Sequence, residues 1–410
     1  MRIAVIGDIH VTEARLDGLG GQRPILEEVV AEIGVADPDV VLVAGDLAGQ
    51  TVPHKCSPRE RDVIVSTVLG LSWEGRLGRS FRPVVIVRGN HDYPMDYGFL
   101  NRLHGEVVYV DDPEFLNVAG ARVLCLPWID RAAVATATDD EYRLRVVEIY
   151  REAVEGSKAD LLAGVGPRIV LAHAAFEGGV LREGQPSVPT KDPVIPTSIF
   201  PADLFDLVVG GHYHLPQALD SKDGSAPGFY VGSLFVNRFG EHPAKSWVML
   251  DDESGTLVAK RHPVQQPARI RLDIDAVTGG VIEIVGGTKA MTTLGDPARV
   301  ADSIRAAGVP CHVKIVPHVH EHDLGTARVK VAEVRTIFAE VALTTVIGVP
   351  EVVRIERKRE GADEVAEARG LAEKIAAWVT TLDEKPGKRS IARAVEILGE
   401  IEAEVDGGAT

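Results

Sequence analysis

The chain is poor in cysteine, in aromatic residues and in positive charge, and each shortage excludes something. Only three cysteines occur in 410 residues, Cys56, Cys125 and Cys311, and they lie far apart. They make no CxxC pair and no even-numbered set, which argues against a disulfide framework and against a thiolate zinc site. Aromatics are 5% of the chain against 41 glycines, so valine and small residues must fill much of the core. No apolar run approaches the ~18 residues needed to span a bilayer. The opening MRIAVIGDIH is cut short by Asp8 and reads as a buried strand rather than a leader. A soluble, cytoplasmic protein with no membrane association is expected. The formal net charge of -16 speaks against a free-standing DNA-coating protein, because phosphate neutralisation by basic side chains supplies most of such affinity. It does not speak against a nuclease, since bound divalent cations add local positive charge.

What is present is a layered alternation. A length of 410 residues suggests two or three domains. IAVIG (3–7), VVLVAG (40–45), PVVIVRG (83–89), RIVLAH (168–173) and DLVVGGH (206–212) are continuous apolar runs, the mark of strands buried on both faces. Ser57 and Glu60 make a capping box with Pro58 in the first turn, and Ile64, Val68 and Leu71 then share a helical face. A second helix is expected from about Asp140 to Gly156, and a hairpin over 115–128 turning at Gly120. From about 263 to 350 the character changes: RIRLDID, GVIEIVG and CHVKIVP are strand-like and 329–343 is helix-like, which predicts a small α+β domain. Two apolar stripes follow, one over Asp363 to Leu382 and one over Ile391 to Val405, separated by KPG. They predict two amphipathic helices that either pack on this chain or dock a partner.

The chemistry sits at the ends of the first strands. Asp8 and His10 (GDIH), Asp46 (GDL), Asn90, His91 and Asp92 (GNHD), His173 (LAH), and His212 and His214 (GHYH) each follow a predicted buried strand. In an open α/β sheet the carboxyl ends of the strands are where sites assemble, so these scattered residues can converge. Carboxylates, imidazoles and one amide, without thiolate, suit manganese, iron or zinc. Seven such ligands are too many for one ion and enough for two that share a bridging carboxylate, for which Asp46 is the natural choice. His318, His320 and His322 alternate and would share one face of a strand. A third metal site there competes with a plain solvated strand end.

These five motifs, in this order, resemble the calcineurin-like metallophosphoesterase superfamily. The resemblance implies an α/β fold, a four-layer helix/sheet/sheet/helix sandwich. It implies that Asp8, His10, Asp46 and His214 hold one divalent ion and that Asp46, Asn90, His173 and His212 hold the other. Mn2+ is the first expectation, with Fe or Zn as alternatives. His91 would then bind no metal but would protonate the leaving oxygen or stabilise the transition state, with Asp92 orienting it. The segment after GHYH, with Gly232, Ser233, Phe239, Gly240 and Glu241 in FYVGSLFVNRFGEHPAKSWVML, is similar to SbcD-type DNA-repair exonucleases. That narrower likeness implies a nuclease domain over 1–262, a capping domain over 263–350 and a C-terminal helical segment over 351–410. It implies DNA as substrate, an SbcC-type coiled-coil ATPase docked on the C-terminal helices, and a homodimer as a further option. GDL continues as AGQ, without the aromatic residue often found there. The alternative is a phosphodiesterase or phosphatase acting on nucleotides or other small molecules without an ATPase partner.

Overall fold

The computed structural model describes residues 1–353 apart from 18–19, 50–55, 74–80, 94–96, 104–105, 135–137, 181–191, 220–223, 242–243, 254, 287–293, 321–323 and 349–350; the side chains of 320, 324–329 and 352–353 also lie outside the description. The chain divides into two units, Met1–His318 with Gly325–Glu351, and Val319–Leu324 with Val352–Thr410. Almost all of the second unit, including both predicted tail helices, lies outside the described residues.

The first part of the chain supplies β1 (Arg2–Ile6), α1 (Gln22–Ala36), β2 (Val40–Val43), α2 (Pro58–Ser72), β3 (Val84–Val87), β4 (Val107–Val110), β5 (Glu114–Val118), β6 (Ala121–Leu126) and α3 (Asp139–Leu162). Next come β7 (Arg168–His173), β8 (Ala175–Phe176), β9 (Val194–Ile195), β10 (Leu207–Gly211), β11 (Gln217–Ala218), β12 (Gly228–Tyr230), β13 (Ser246–Glu253) and β14 (Thr256–Pro263). The last described stretch holds β15 (Ala268–Asp275), β16 (Val281–Val285), α4 (Pro297–Ala307), β17 (Cys311–His320), α5 (Leu324–Ala339) and β18 (Thr344–Ile347).

Two six-stranded sheets result, ordered β14-β13-β1-β2-β3-β4 and β11-β12-β10-β7-β6-β5. Within them β1-β2-β3-β4 and β6-β7-β10-β12 are parallel, so each set of carboxyl ends shares one edge. The register aligns Val5 with Leu42, Leu42 with Val85 and Val85 with Val108. Alternate residues of these all-apolar strands serve different layers. Ile3, Val5, Leu42, Val85, Ile169, Leu171 and Val209 pack between the sheets. Ala4, Ile6, Val41 and Val43 face a second core with Ile25 and Val29 of α1 and Val63 and Val68 of α2. Leu124, Leu126 and Val170 face a third with Tyr142, Val146 and Tyr150 of α3. This is the helix/sheet/sheet/helix sandwich, and a continuous valine run is what a strand buried on both faces requires. A separate sheet ordered β16-β15-β17-β18 follows. No helix among the described residues is long and apolar enough to cross a membrane.

Local signals explain most of these elements. Ser57 and Glu60 form the anticipated capping box of α2. The helix expected from about Asp140 to Gly156 is longer and carries its own capping box, Thr138 with Glu141. The hairpin turns where expected, with Ala119 and Gly120 both at positive φ, as a two-residue hairpin loop of the right twist requires. Two helices were not anticipated. Helix α1 starts at Gly21 with no side-chain cap, so its entry carries no polar start signal. Helix α4 does carry one: Asp296 caps it, Pro297 fills its first turn and Gly308 closes it in the left-handed region.

The layer between the sheets has no slack, since Leu171 and its neighbours there are fully buried. Leu171→Ala should therefore lower unfolding stability by about 2–5 kcal/mol, the usual result of a large-to-small change in a packed core, read as a shift in the urea midpoint.

Candidate metal centre

All seven predicted ligands and His91 meet at the shared carboxyl edge. Each strand delivers its residues at or just past its carboxyl end: Asp8 and His10 after β1, Asp46 after β2, Asn90 and His91 after β3, His173 as the last paired residue of β7, and His212 and His214 after β10. The loops are laced together by backbone hydrogen bonds, Asp8 N donating to Gly45 O (3.0 Å) and His10 N to Asp46 O (2.9 Å). His212 N donates to Asp8 Oδ1 (2.9 Å), which joins the two sheets at the site.

Donor atoms cluster there in three overlapping groups: Asp8, His10 and His214; His10, Asp46 and His91; and Asp8, Asp46 and His173, each group within 4.8 Å. Asp46 lies in the middle. Its Oδ2 is 3.5 Å from His10 Nε2 and 3.5 Å from His173 Nε2, and its Oδ1 accepts the His91 backbone N–H at 2.8 Å. Asn90 Oδ1 is 2.9 Å from His173 Nε2 and 3.0 Å from His212 Nδ1. On the other side His10 Nε2 and His214 Nε2 are 2.8 Å apart.

The outward-facing ring nitrogens explain which lone pairs point inward. His173 Nδ1 faces Ala44 O at 2.7 Å and His10 Nδ1 faces Ala48 O at 3.3 Å. A carbonyl accepts only, so each Nδ1 carries the hydrogen and each Nε2 presents a lone pair to the centre. Glu241 Oε1 lies 3.4 Å from His214 Nδ1, and Asp192 Oδ2 lies 3.5 Å from His212 Nε2. Burial holds His10 down to about 3 and His173 down to about 4, so both rings are neutral and ligand-ready near pH 7. Burial, reinforced by the charge of Asp46, pushes the Asp8 carboxyl up to about 7, and Asp8 Oδ2 is buried with no hydrogen-bond partner. Such an atom in the middle of lone pairs fits a cation, and the N/O donor set fits a divalent one.

Backbone strain marks the same residues. Among the described residues six non-glycine positions have positive φ, and four of them are Asp8 (48°), His10 (49°), Asp46 (54°) and His212 (99°). Strain of this kind persists only where surrounding structure imposes it. Close approach does the rest. A Cβ on Gly89 would lie 2.1 Å from Asp46 Oδ1, and one on Gly211 would lie 1.9 Å from Ala44 O.

Asp92 takes a different place from the one its sequence position suggested. Its two oxygens accept backbone N–H groups, Oδ1 from Ala48 (3.1 Å) and Oδ2 from Gly89 (3.0 Å). It thus pins the GNHD loop to the GDL loop. Sequence reasoning also missed three neighbours. Trp128 sets its ring 5.1 Å from that of His212, carried on a loop held by Arg88 through Asp130 (2.8 Å). Asp192 and Glu241 stand behind His212 and His214, and only Glu241 had a signal, in FGE. His318 pairs with the buried Asp273 at 2.6 Å, and Arg271 contacts both Asp273 and Glu351; donor atoms of Asp273, His318 and Glu351 lie within 4.8 Å of one another, with the Arg271 cation already among them. The side chains of His320 and His322 lie outside the described residues.

Strand-end carboxylates and imidazoles around an inter-sheet cleft define a metal-dependent hydrolase centre built to hold two divalent ions. The chain belongs to the calcineurin-like phosphoesterase family, which matches residues 1–216, and membership implies metal-dependent hydrolysis of phosphoester bonds. It is similar to the SbcD component of the SbcCD nuclease of Staphylococcus epidermidis, at 23% identity over 300 residues, spanning 70% of this chain and 74% of that one. Solved structures with likeness include Vps29 of Entamoeba histolytica (14% identity, 65% of this chain and 100% of that one, TM-score 0.27). A 5'-nucleotidase-like protein of Staphylococcus aureus is another (18% identity, 64% and 54%, TM-score 0.38). Likeness at that level carries no functional argument.

Two outcomes follow from the site's charge and packing. Folded Asp8 keeps its proton from about pH 4 to about 7 while the unfolded carboxyl, at 3.8, has lost it. The raised value means that metal-free stability falls as pH rises through that window. A metal ion must displace that proton, so Mn2+ should raise the melting temperature more at pH 7.5 than at pH 5.5; an equal rise at both would contradict this. Gly89→Ala should abolish stoichiometric metal uptake, measured by elemental analysis of the purified protein, because Asp46 has to move.

Proposed function

We propose that this protein is a two-metal DNA phosphodiesterase of the SbcD type, working in DNA repair or recombination with a coiled-coil ATPase partner. The observation that carries the metal chemistry is the buried, unpartnered Asp8 Oδ2 among inward-facing imidazole nitrogens. What favours the nuclease assignment is that the likeness to the SbcD component of SbcCD extends over 300 residues. That is more than the phosphoesterase region at 1–216 can contain, so it takes in chain beyond the motifs that every family member needs.

In this reading Asp8, His10, Asp46 and His214 hold one ion, and Asp46, Asn90, His173 and His212 hold the other, with Asp46 shared. Bound divalent ions would supply a nucleophile from water near neutral pH and charge neutralisation at the phosphoryl oxygens. The chain's own residues do the rest. His91 is only half-buried, and its ring stands edge-on to His10 with centroids 4.9 Å apart. It is therefore open to substrate and close to the centre, the position of a group that protonates the departing oxygen. Its backbone N–H is fixed by Asp46, and Asp92 acts as a positioning residue by holding the loop through Gly89 and Ala48. Trp128 and Tyr213 flank His212, with ring centroids at 5.1 Å and 5.2 Å, and keep water from one side. A chain of net charge -16 grips DNA poorly by itself. An ATPase partner that binds the duplex and presents it supplies what this charge balance lacks.

The test is Mn2+-dependent degradation of linear and hairpin DNA, with and without the cognate ATPase. Degradation that increases with the ATPase is expected. Turnover of a small phosphodiester with no cleavage of any DNA, even with the ATPase, would instead establish the small-molecule alternative. Within the same assay His91→Gln should lower kcat by roughly 10²–10⁴-fold yet retain two metal ions per chain. Asp46→Ala should lose both ions; two ions still bound in that variant would refute the shared-ligand assignment.

A further inference from the structure

The segment after GHYH returns to the site from behind, and one group of its contacts converges on His214. Ser233 N donates to His214 O at 3.2 Å. Lys245 is 3% exposed, and its ammonium finds three acceptors: Ser233 Oγ at 2.8 Å, His214 O at 3.2 Å and Glu241 Oε2 at 3.3 Å. An ammonium has three N–H groups and no acceptor, so this buried charge is fully satisfied and has one fixed position. Glu241 is divided in the same way. Its Oε2 accepts from Asn237 N at 2.9 Å and faces Lys245, which leaves Oε1 for His214 Nδ1 at 3.4 Å. The carboxylate cannot turn without giving up the other two partners.

We infer that Glu241, anchored by Lys245 and the Asn237 backbone, is a positioning residue that fixes the His214 ring with its Nε2 lone pair turned toward Asp8 and His10. The inference rests on the proposed ligand set, in which His214 serves one ion. Its physical content is that a ring able to flip or to change tautomer presents an N–H instead of a lone pair to a cation. A carboxylate on Nδ1 removes that option and raises the basicity of Nε2. His10 and His173 get the same service from the carbonyls of Ala48 and Ala44, which are part of the strand-end loops themselves. His214 lies on a loop beyond β10 and depends on an element 27 residues later.

Glutamine is the informative replacement. Glu241→Gln has a single acceptor oxygen for the positions now filled by two, so an amide N–H must face either His214 Nδ1–H or the Lys245 ammonium. Mn2+ titration by calorimetry should show one of two sites weakened about 10- to 100-fold, as for other groups behind a metal ligand, and the second site unchanged. His214→Ala serves as the reference and should lose the same site. If His214→Ala loses a site while Glu241→Gln binds both ions as the wild type does, the positioning role is wrong and the ligand set stands. If His214→Ala itself binds two ions with wild-type affinity, the ligand assignment and the inference fall together. A readout independent of any variant is the tautomer of His214 in the metal-free wild-type chain, from ¹⁵N-histidine NMR. Hydrogen on Nδ1 is expected, alone or with a second on Nε2 shared with His10 Nε2 at 2.8 Å; a ring with hydrogen on Nε2 alone would overturn the proposal even if the variant did not fold.

Discussion

The structure turns on a crowding of ligand atoms. His10 Nε2 and His214 Nε2 stand 2.8 Å apart, and around them lie Asp46 and the unpartnered Asp8 Oδ2. Two imidazole nitrogens at that distance can share only one hydrogen, and buried carboxylates without a counter-charge resist ionisation. The elevated Asp8 carboxyl is one expression of that resistance. The outer carbonyls of Ala48 and Ala44 are another, because they take the Nδ1 hydrogens of His10 and His173 and leave the Nε2 lone pairs of those rings facing the centre. A centre of this kind is incomplete without cations, and the surrounding fold is what keeps it assembled.

That holding force is remote from the chemistry. Asp8, His10, Asp46 and His212 are kept at positive φ, each at a cost of order 1–3 kcal/mol. Ile9, Val11, Leu47 and Tyr213 anchor the loops themselves in the flanking cores. The strands immediately before them add more: Ile3, Val5, Leu42, Val85, Leu171 and Val209 are fully buried between two sheets. The valine-rich core therefore has a role beyond stability. It fixes the positions of five strand ends closely enough that donor atoms separated by up to 206 sequence positions, from Asp8 to His214, meet within 4.8 Å.

What was legible in the sequence follows the range over which each cause acts. Strands buried on both faces announce themselves as unbroken apolar runs, and the capping box of α2 is encoded within four residues. Helix α1 begins at a glycine with no capping side chain and so left no local mark. Ligand candidates were legible because most of them follow a strand-end glycine that close approach demands, as Gly89 shows, which precedes Asn90 in sequence and packs against Asp46 in space. Their outer partners were not. Nothing in the letters around Ala44 or Ala48 says that a carbonyl will meet an imidazole, and Asp192 and Trp128 reach His212 only through the fold. Asp92 marks the limit from the other side. Its adjacency to His91 suggested a pair, whereas its oxygens reach backbone N–H groups of Gly89 and, across loops, Ala48. Adjacency in sequence says where a residue's backbone goes and little about where its side chain points.

The same distinction separates class from substrate. Hydrolysis of a phosphoester needs only the strand-end donors, and those lie within residues 1–216. Discrimination between a DNA strand and a small phosphodiester must come from surfaces that touch the rest of the substrate. The sequence beyond the donors already contributes to the centre, since Glu241 and Lys245 reach back to His214 from past residue 216. The likeness to the SbcD component of SbcCD extends past the phosphoesterase region, and coupling between the later segment and the metal centre gives that extension a physical reason. The segment past residue 216 is tied, through the His214 loop, to the edge where the donor atoms meet.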